Sequence, residues 1–410
     1  MINTIFCSER PNIVFIIADD LGWGDVSFHG SQQAQTPNID LLASTGIILN
    51  NYYTSPLCSP SRSAILTGYH PIHTGTQHDV FQGAQPFGTP LQYKLLPQYL
   101  KELGYETHAV GKWHQGFHRR EYLPTRRGFD SHFGYWTGQS DYYDRTSAEN
   151  WWALDFRNGE LPANTTEYEG RYATDIYTER AVDIIRERAN SSSKPLFLYL
   201  SHQSVHSASR RQPLQAPQDL IDRHRDVQDL DRRTFVGMVS ALDDSVGEVM
   251  AALKMADILN NTIIVFTTDN GGSTRGTAPG SSIDYSVGSN WPLRGSKCTL
   301  FEGGIRGVGL IWSPLLNSTY ISEHLMHLTD WLPTLYRAVG GQPKALGPID
   351  GIDMWDILIN NLDNPRKHLL HNIDPIMGVW ALRYGYYKLI SGTVYKGNFD
   401  GWYLPPGESN

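Results

Sequence analysis

Cysteine is scarce in this chain: Cys7, Cys58 and Cys298 are the only three among 410 residues. So few thiols exclude a disulfide-stapled fold and leave stability to an apolar core. No apolar run reaches the roughly 18 residues that span a bilayer, which excludes a membrane helix. Long blocks of Lys and Arg are also missing, and the net charge is −8 with a pI near 6.0. That excludes a surface tracking nucleic-acid phosphates, so an anionic substrate would need a local positive pocket. The first ten residues, Met1 to Arg10, are too few for the apolar core of a secretory signal. No internal repeat or low-complexity tract is visible.

What the chain does contain is an ordinary globular composition, 40% hydrophobic and 11% aromatic with 38 glycines. Its length exceeds one usual core, so a large domain with a smaller one is expected. The polar, Pro- and Gly-containing stretch from Gly340 to Gly351 marks the boundary. Residues 1–340 then form the large domain and residues 341–410 a small β-containing one, with a hairpin over Trp380 to Ile390.

In the large domain, Asn12 to Ala18, Glu106 to Val110, Pro195 to Leu200 and Thr262 to Phe266 read as strands, and so does Val308 to Trp312. Helices are predicted between Thr36 and Gly46, and over Leu95 to Leu103, Ile176 to Arg188, Arg233 to Met255 and His324 to Ala338. Phe129 to Trp152 has no period and reads as irregular loop material on the substrate side.

Four of the strands run into side chains of one chemical theme: Asp19 and Asp20, Lys112 and His114, His206, and Asp269 and Asn270. In an open α/β sheet, ligands bind beyond the carboxyl ends of the strands, so these groups can converge. Adjacent acids at the end of a buried strand are costly without positive charge nearby. Asp19, Asp20, Asp269 and Asn270 offer hard oxygen donors, which suit Ca²⁺ or Mg²⁺ rather than zinc. Arg62, Lys112 and Lys297 supply positive charge, and His114 and His206 supply protons. Lys112 and His114 point the same way if the backbone stays extended. Cys58 follows a Pro-containing extended run and precedes Ser59-Pro60, which read as N-cap and first helical position. The thiol then lies at the positive end of a helix, with Arg62 one turn in.

These stretches resemble the motifs of the sulfatase family, most closely its arylsulfatase B (N-acetylgalactosamine-4-sulfatase) branch. The motifs are Ala18 to Gly22, Cys58 to Gly68, Gly111 to His114, Ser204 to His206, Thr268 to Gly272, and Trp291 to Gly295 with Lys297. The resemblance covers nearly the whole chain. It implies an alkaline-phosphatase-like α/β sandwich, with a mostly parallel mixed sheet flanked by helices and a small C-terminal α+β domain of antiparallel strands. It implies hydrolysis of an aryl or sugar sulfate through a formylglycine hydrate, formed from Cys58 by a formylglycine-generating enzyme. By the same resemblance, Asp19, Asp20, Asp269, Asn270 and the modified Cys58 hold Ca²⁺, with Mg²⁺ as second choice, and Lys112 and Lys297 hold sulfate. Arg62 steadies the formylglycine, His206 protonates the leaving group, and His114 helps break the sulfated intermediate.

A lysosomal or secreted glycoprotein is also implied, and Asn-x-Ser/Thr sequons start at Asn164, Asn190, Asn260 and Asn317. Three features depart from the family pattern. Gln139 stands beside Ser140 where relatives place a serine before the Asp-Tyr-Tyr of the loop. Three cysteines cannot supply the disulfides of this branch. Signal peptide and distal C-terminal residues are not visible, so the chain reads as a fragment or a gene model short at both ends. Two other functions fit the same scaffold. One is a phosphodiesterase or phosphatase, and the other a catalytically silent protein that binds sulfated glycans through an unmodified Cys58 pocket.

Overall fold

In the computed structural model, which describes residues 10–83, 85–147, 149, 152–191, 194–209, 211–274 and 285–407, the apolar runs assemble into one ten-stranded sheet. In chain order its strands are β1 (Asn12–Ala18), β2 (Ile47–Leu49), β3 (Glu106–Lys112), β4 (Ser131–Tyr135), β5 (Arg157–Asn158), β6 (Leu161–Pro162), β7 (Leu196–Ser201), β8 (Thr262–Thr268), β9 (Gly309–Trp312) and β10 (Tyr320–Ser322). They lie side by side as β10-β2-β9-β8-β1-β7-β3-β4-β5-β6. The central five, β8, β1, β7, β3 and β4, are mutually parallel, and β9 runs against β8. This is the mostly parallel mixed sheet expected of the α/β class.

Both faces of the sheet are covered, which is why all seven residues of β1 are buried. The flanking helices are α1 (Pro37–Thr45), α2 (Cys58–Thr67), α3 (Leu96–Glu102), α4 (Ala173–Ser191), α5 (Leu230–Met255) and α6 (Trp331–Ala338). Alternation along β1 sorts its side chains between two cores. Val14, Ile16 and Ala18 pack with α1, α4 and α5. Ile13, Phe15 and Ile17 pack with α2, α3 and α6.

Three expectations are corrected. Helix α2 starts at Cys58 itself, capped by an extended Leu57 (φ −144°, ψ 157°). Ser59 is therefore not the cap, and its hydroxyl accepts the Phe81 N–H at 2.9 Å. The leucine-spaced segment from His324 becomes α-helical only at Trp331, after a 3-10 turn over Leu328–Asp330. Before that, Met326–His327 pairs with Tyr52–Tyr53 as a short parallel ribbon, and Asp330 accepts the His327 N–H at 2.8 Å. The aromatic stretch after Phe129 contains β4, a strand of the main sheet. Gly134 (φ +154°) lets β4 approach β3 so closely that a Cβ there would lie 2.1 Å from the Gly111 carbonyl oxygen.

A small antiparallel sheet, β11 (His368–Asp374), β12 (Val379–Tyr384) and β13 (Tyr387–Ser391), follows. It packs Leu369, Val379 and Ala381 on Tyr53, Cys298 and Ile305. Leu346, Met354, Trp355 and Leu358, which precede it, pack with the large core. Asn164, Asn260 and Asn317 are exposed. The side chain of Asn190 and all of Cys7 lie outside the described residues. Cys298 is a buried free thiol. No helix among the described residues is long and apolar enough to cross a membrane.

Where the small sheet meets the body, three histidines are buried together. The rings of His70 and His327 stack at 5.4 Å, and His371 lies 4.7 Å from the Tyr53 ring. His70 Nε2 donates to the Leu370 carbonyl at 3.0 Å, tying the sheet down. Burial pushes the His70 pKa down to about 4, and holds those of His327 and His371 well below the usual value. An imidazole kept neutral in the fold but free to protonate when unfolded costs stability as pH falls. The loss should begin near 6.5 and grow as pH drops towards 4. Neither ring nitrogen of His371 has a partner. Thermal melts from pH 7 to 4.5 should show the parent losing stability, with His371→Leu losing less; parallel curves would remove this cluster from the acid response.

Candidate active site

Register brings the site together. Ala18 pairs with Thr268, Ile17 with Ser201, and Ser201 with Gly111. The next residues outward, Asp19, Asp269 and Lys112, therefore emerge at one level at the carboxyl ends of neighbouring strands. Asp20 follows in the left-handed region (φ +59°), bending the chain sharply.

Helix α2 supplies the other wall. Cys58 Sγ lies 3.6 Å from Asp19 Oδ1. One turn on, the fully buried Arg62 donates through Nε and a terminal nitrogen to Asp269 Oδ2 at 3.0 and 2.8 Å. That terminal nitrogen is 3.6 Å from Asp19 Oδ2, and the other donates to the Ser201 hydroxyl. Lys112 Nζ contacts Asp19 Oδ2 at 2.6 Å. Lys297, on the Gly-rich loop after Trp291, reaches both Asp20 oxygens at 2.7 and 2.8 Å. Asn270 Nδ2 donates to Asp20 Oδ1 at 2.7 Å.

Three buried carboxylates thus face three buried cations. Burial opposes ionisation of Asp19, yet Lys112, His206 and Arg62 hold its pKa below the usual range. Asp20 is lowered likewise, burial being outweighed by Lys297 and His206. Asp269 is pushed up, by burial and by the charge of Asp19, so its ionisation depends on nearby cations. Burial also raises the Cys58 pKa, which leaves the residue a thiol and a poor nucleophile.

The donor set fits a divalent cation. One ligand atom each from Asp19, Asp20, Cys58 and His206 lies within 4.8 Å of the others. Asn270 Oδ1 is buried beside them without a partner. Asp269 stands outside that foursome; Arg62 holds its Oδ2, and its Oδ1 accepts the Asp20 N–H at 3.3 Å. The foursome is softer than the all-oxygen set expected from the sequence, since it includes a thiol and an imidazole; an oxygen at position 58 would harden it.

The two histidines are held differently. His114 has φ +51° and Gly111 φ +96°, so the backbone kinks on either side of Lys112 and Trp113. Trp113 between them enters the core. His114 Nε2 donates to the Phe81 carbonyl at 3.0 Å, while Nδ1 is buried without a partner. Burial, then Lys112 and Arg62, hold its pKa well below the usual value, so Nδ1 carries a free lone pair. His206 Nδ1 donates to the Ser207 carbonyl at 2.7 Å, which leaves Nε2 facing Asp20 at 3.7 Å.

Gln139 and Ser140 border the His206 loop. Gln139 Nε2 donates to Ser207 O at 3.4 Å, and Gln203 Nε2 donates to Ser140 O at 2.5 Å. Tyr142 O–H is shared between the carbonyls of Gln203 and His206 at 3.1 and 2.9 Å. Ser201 and Gln203 are legible in the sequence only as polar residues into which the Pro195 to Leu200 strand runs, without a role; Tyr142 carries no signal of its contact with this loop.

Comparison with known proteins agrees with this geometry. The family model described as Sulfatase matches residues 11–341. Arylsulfatase J of Mus musculus is 41% identical, covering 98% of this chain and 67% of that protein. N-acetylgalactosamine-6-sulfatase of Homo sapiens is 32% identical, covering 90% and 70%. The crystal structure of Ps i-CgsB superposes with a TM-score of 0.80 at 30% identity, over 93% of this chain and 84% of that one. The same protein has been crystallised with k-i-k-neocarrahexaose.

Arg62→Ala strands Asp269 in the interior, a loss of the kind that costs about 3–5 kcal/mol. Arg62→Lys should recover only part of it, since one ammonium cannot span Asp269 and Ser201 as the guanidinium does. Urea unfolding measures both. An alanine variant within ~1 kcal/mol of the parent would mean that Asp269 does not need the pair.

Proposed function

Since the chain belongs to the sulfatase family and so hydrolyses sulfate esters, we propose that it does so through a formylglycine hydrate made from Cys58. Ca²⁺ held by Asp19, Asp20, Asp269 and Asn270 assists, and the leaving group is a sugar hydroxyl. The observation that carries this reading is a buried, protonated thiol at a helix N-terminus, facing carboxylates that two lysines presently neutralise. Oxidation of that thiol replaces a poor nucleophile by a hydrated aldehyde, whose hydroxyl can attack sulfur and whose oxygen suits a hard cation. A dedicated oxidising enzyme is the partner this requires.

The cation, when bound, neutralises the carboxylates and draws charge from a sulfate oxygen. Lys112 and Lys297 are then released from Asp19 and Asp20 to hold the oxygens on which charge develops. His206, protonated at both ring nitrogens for this step, gives the Nε2 proton to the departing oxygen and keeps Nδ1–H on the Ser207 carbonyl. His114 takes one through its free Nδ1 from the remaining hydroxyl of the hydrate, so that sulfate leaves and the aldehyde returns. A sugar leaving group is supported by the names of two relatives: one is an N-acetylgalactosamine-6-sulfatase, and the other was crystallised with a neocarrahexaose. A silent glycan binder differs only in keeping the thiol, and a phosphodiesterase would prefer the phosphate analogue of the same ester.

Three measurements test the proposal. The tryptic peptide containing Cys58 should be lighter by about 18 Da, the difference between CH₂SH and CHO. Cys58→Ser should attack but not release sulfate, leaving a covalent ester visible by mass; an unmodified thiol in an active enzyme would overturn the reading. Chelation should lower both rate and melting temperature, because the cation binds the folded state only. Stoichiometric zinc without calcium or magnesium would replace the oxygen set by the Cys58 and His206 set.

A further inference from the structure

Glu149 has no part in any of the motifs above, yet its carboxyl group is buried beside His114. Its Oε1 accepts the Gly138 N–H. At Gly138 a Cβ would lie 2.4 Å from His114 Cε1, 2.5 Å from Nε2 and 2.9 Å from Glu149 Oε1, so ring and carboxyl group meet across a missing side chain. Its Oε2 is buried against Gly83, where a Cβ would lie 2.6 Å away and whose N–H also favours the charged carboxylate. Neither glycine has a positive φ, so what each supplies is space.

Gly83 is two residues from Phe81, whose carbonyl accepts the His114 Nε2–H. One carboxyl group therefore touches both the loop that fixes the tautomer of His114 and the loop that walls its ring. Burial raises the pKa of Glu149, opposed by the Gly138 N–H and by Lys112. A group kept at that cost, on no fold-forming element, calls for a local reason.

We propose that Glu149 is a positioning residue for His114, clasping the loops at Gly83 and Gly138 so that Nε2 stays on Phe81 and the Nδ1 lone pair stays aimed at the reacting centre. This rests on the reading of His114 as the proton acceptor. With the clasp gone, the ring can turn and its tautomers mix, which slows breakdown of the sulfated intermediate without weakening substrate binding.

The test uses the full-length modified enzyme and an aryl sulfate. Glu149→Ala should lower kcat by roughly 10- to 100-fold, with KM within about twofold, and sulfated enzyme should accumulate by mass. Glu149→Gln, which keeps an acceptor for Gly138, should recover most of the rate. A readout independent of turnover is the ¹⁵N spectrum of histidine-labelled protein, with His114 assigned through His114→Asn. The ring should move from the Nε2–H form to a mixture in Glu149→Ala, and stay put in Glu149→Gln. An unchanged kcat with an unchanged His114 spectrum would overturn the inference, as would equal damage from Gln and Ala or a loss that merely follows melting temperature. If the parent fails to hydrolyse sulfate esters, the functional reading falls, while the ring spectrum still decides whether Glu149 orients His114.

Discussion

Burying carboxylates at the ends of adjacent central strands is the constraint on which this structure turns. An uncompensated ion in such a place costs several kcal/mol, and here there are three: Asp19, Asp20 and Asp269. Their partners come from three separate stretches, Arg62 on α2, Lys112 at the end of β3 and Lys297 on a loop. The position of α2 is thus set from two sides. Its apolar face, Ala64, Ile65 and Leu66, seats it on the core, and Arg62 draws its N-terminal turn over the strand ends. Cys58 is carried to within reach of Asp19 by an ion pair one turn away.

The same balance explains how a site built to bind an anion can exist before the anion arrives. Lys112 and Lys297 would repel one another if left alone, and each is parked on a carboxylate, Asp19 and Asp20 respectively. On the proposed mechanism, a divalent cation and an ester monoanion entering together would exchange these pairs for new ones without stripping any charge of its partner. The histidines, by contrast, are aimed by neutral contacts to carbonyls, of Phe81 for His114 and of Ser207 for His206. Those bonds decide which nitrogen is free.

Much of this was legible in the sequence wherever one strand decided it. Continuous β-branched runs ending in acids announced β1 and β8, and parallel pairing made their ends coincide. Legibility failed where a second segment intervened. Ser59 looked like a cap by residue type, but Leu57 was already extended and Phe81 took the hydroxyl. Leucines spaced from Leu325 to Leu335 fit a helix by period, although a ribbon of Met326–His327 with Tyr52–Tyr53 falls between the first two of them. Strand β4 is short and aromatic, and it depends on a glycine tolerated only against Gly111. Lys112 and His114 converge through a kink, where an extended backbone was the simpler expectation. Glu149 left no trace at all, since its meaning lies in two distant glycines.

Cys58 is 2% exposed once the fold is complete, and that closes off its chemistry in time as well as in space. The strands that wall it, β7 and β8, are made late: Thr268 follows Cys58 by about 210 residues. At roughly 5–20 residues per second, a ribosome needs on the order of 10–40 s to cover that distance. Until then the thiol belongs to an incomplete chain and is open to any macromolecule that would alter it. The order of synthesis thus gives this residue a period of access that the finished protein withdraws, and a mutation that hastened early collapse around α2 would shorten it without touching a single side chain of the site.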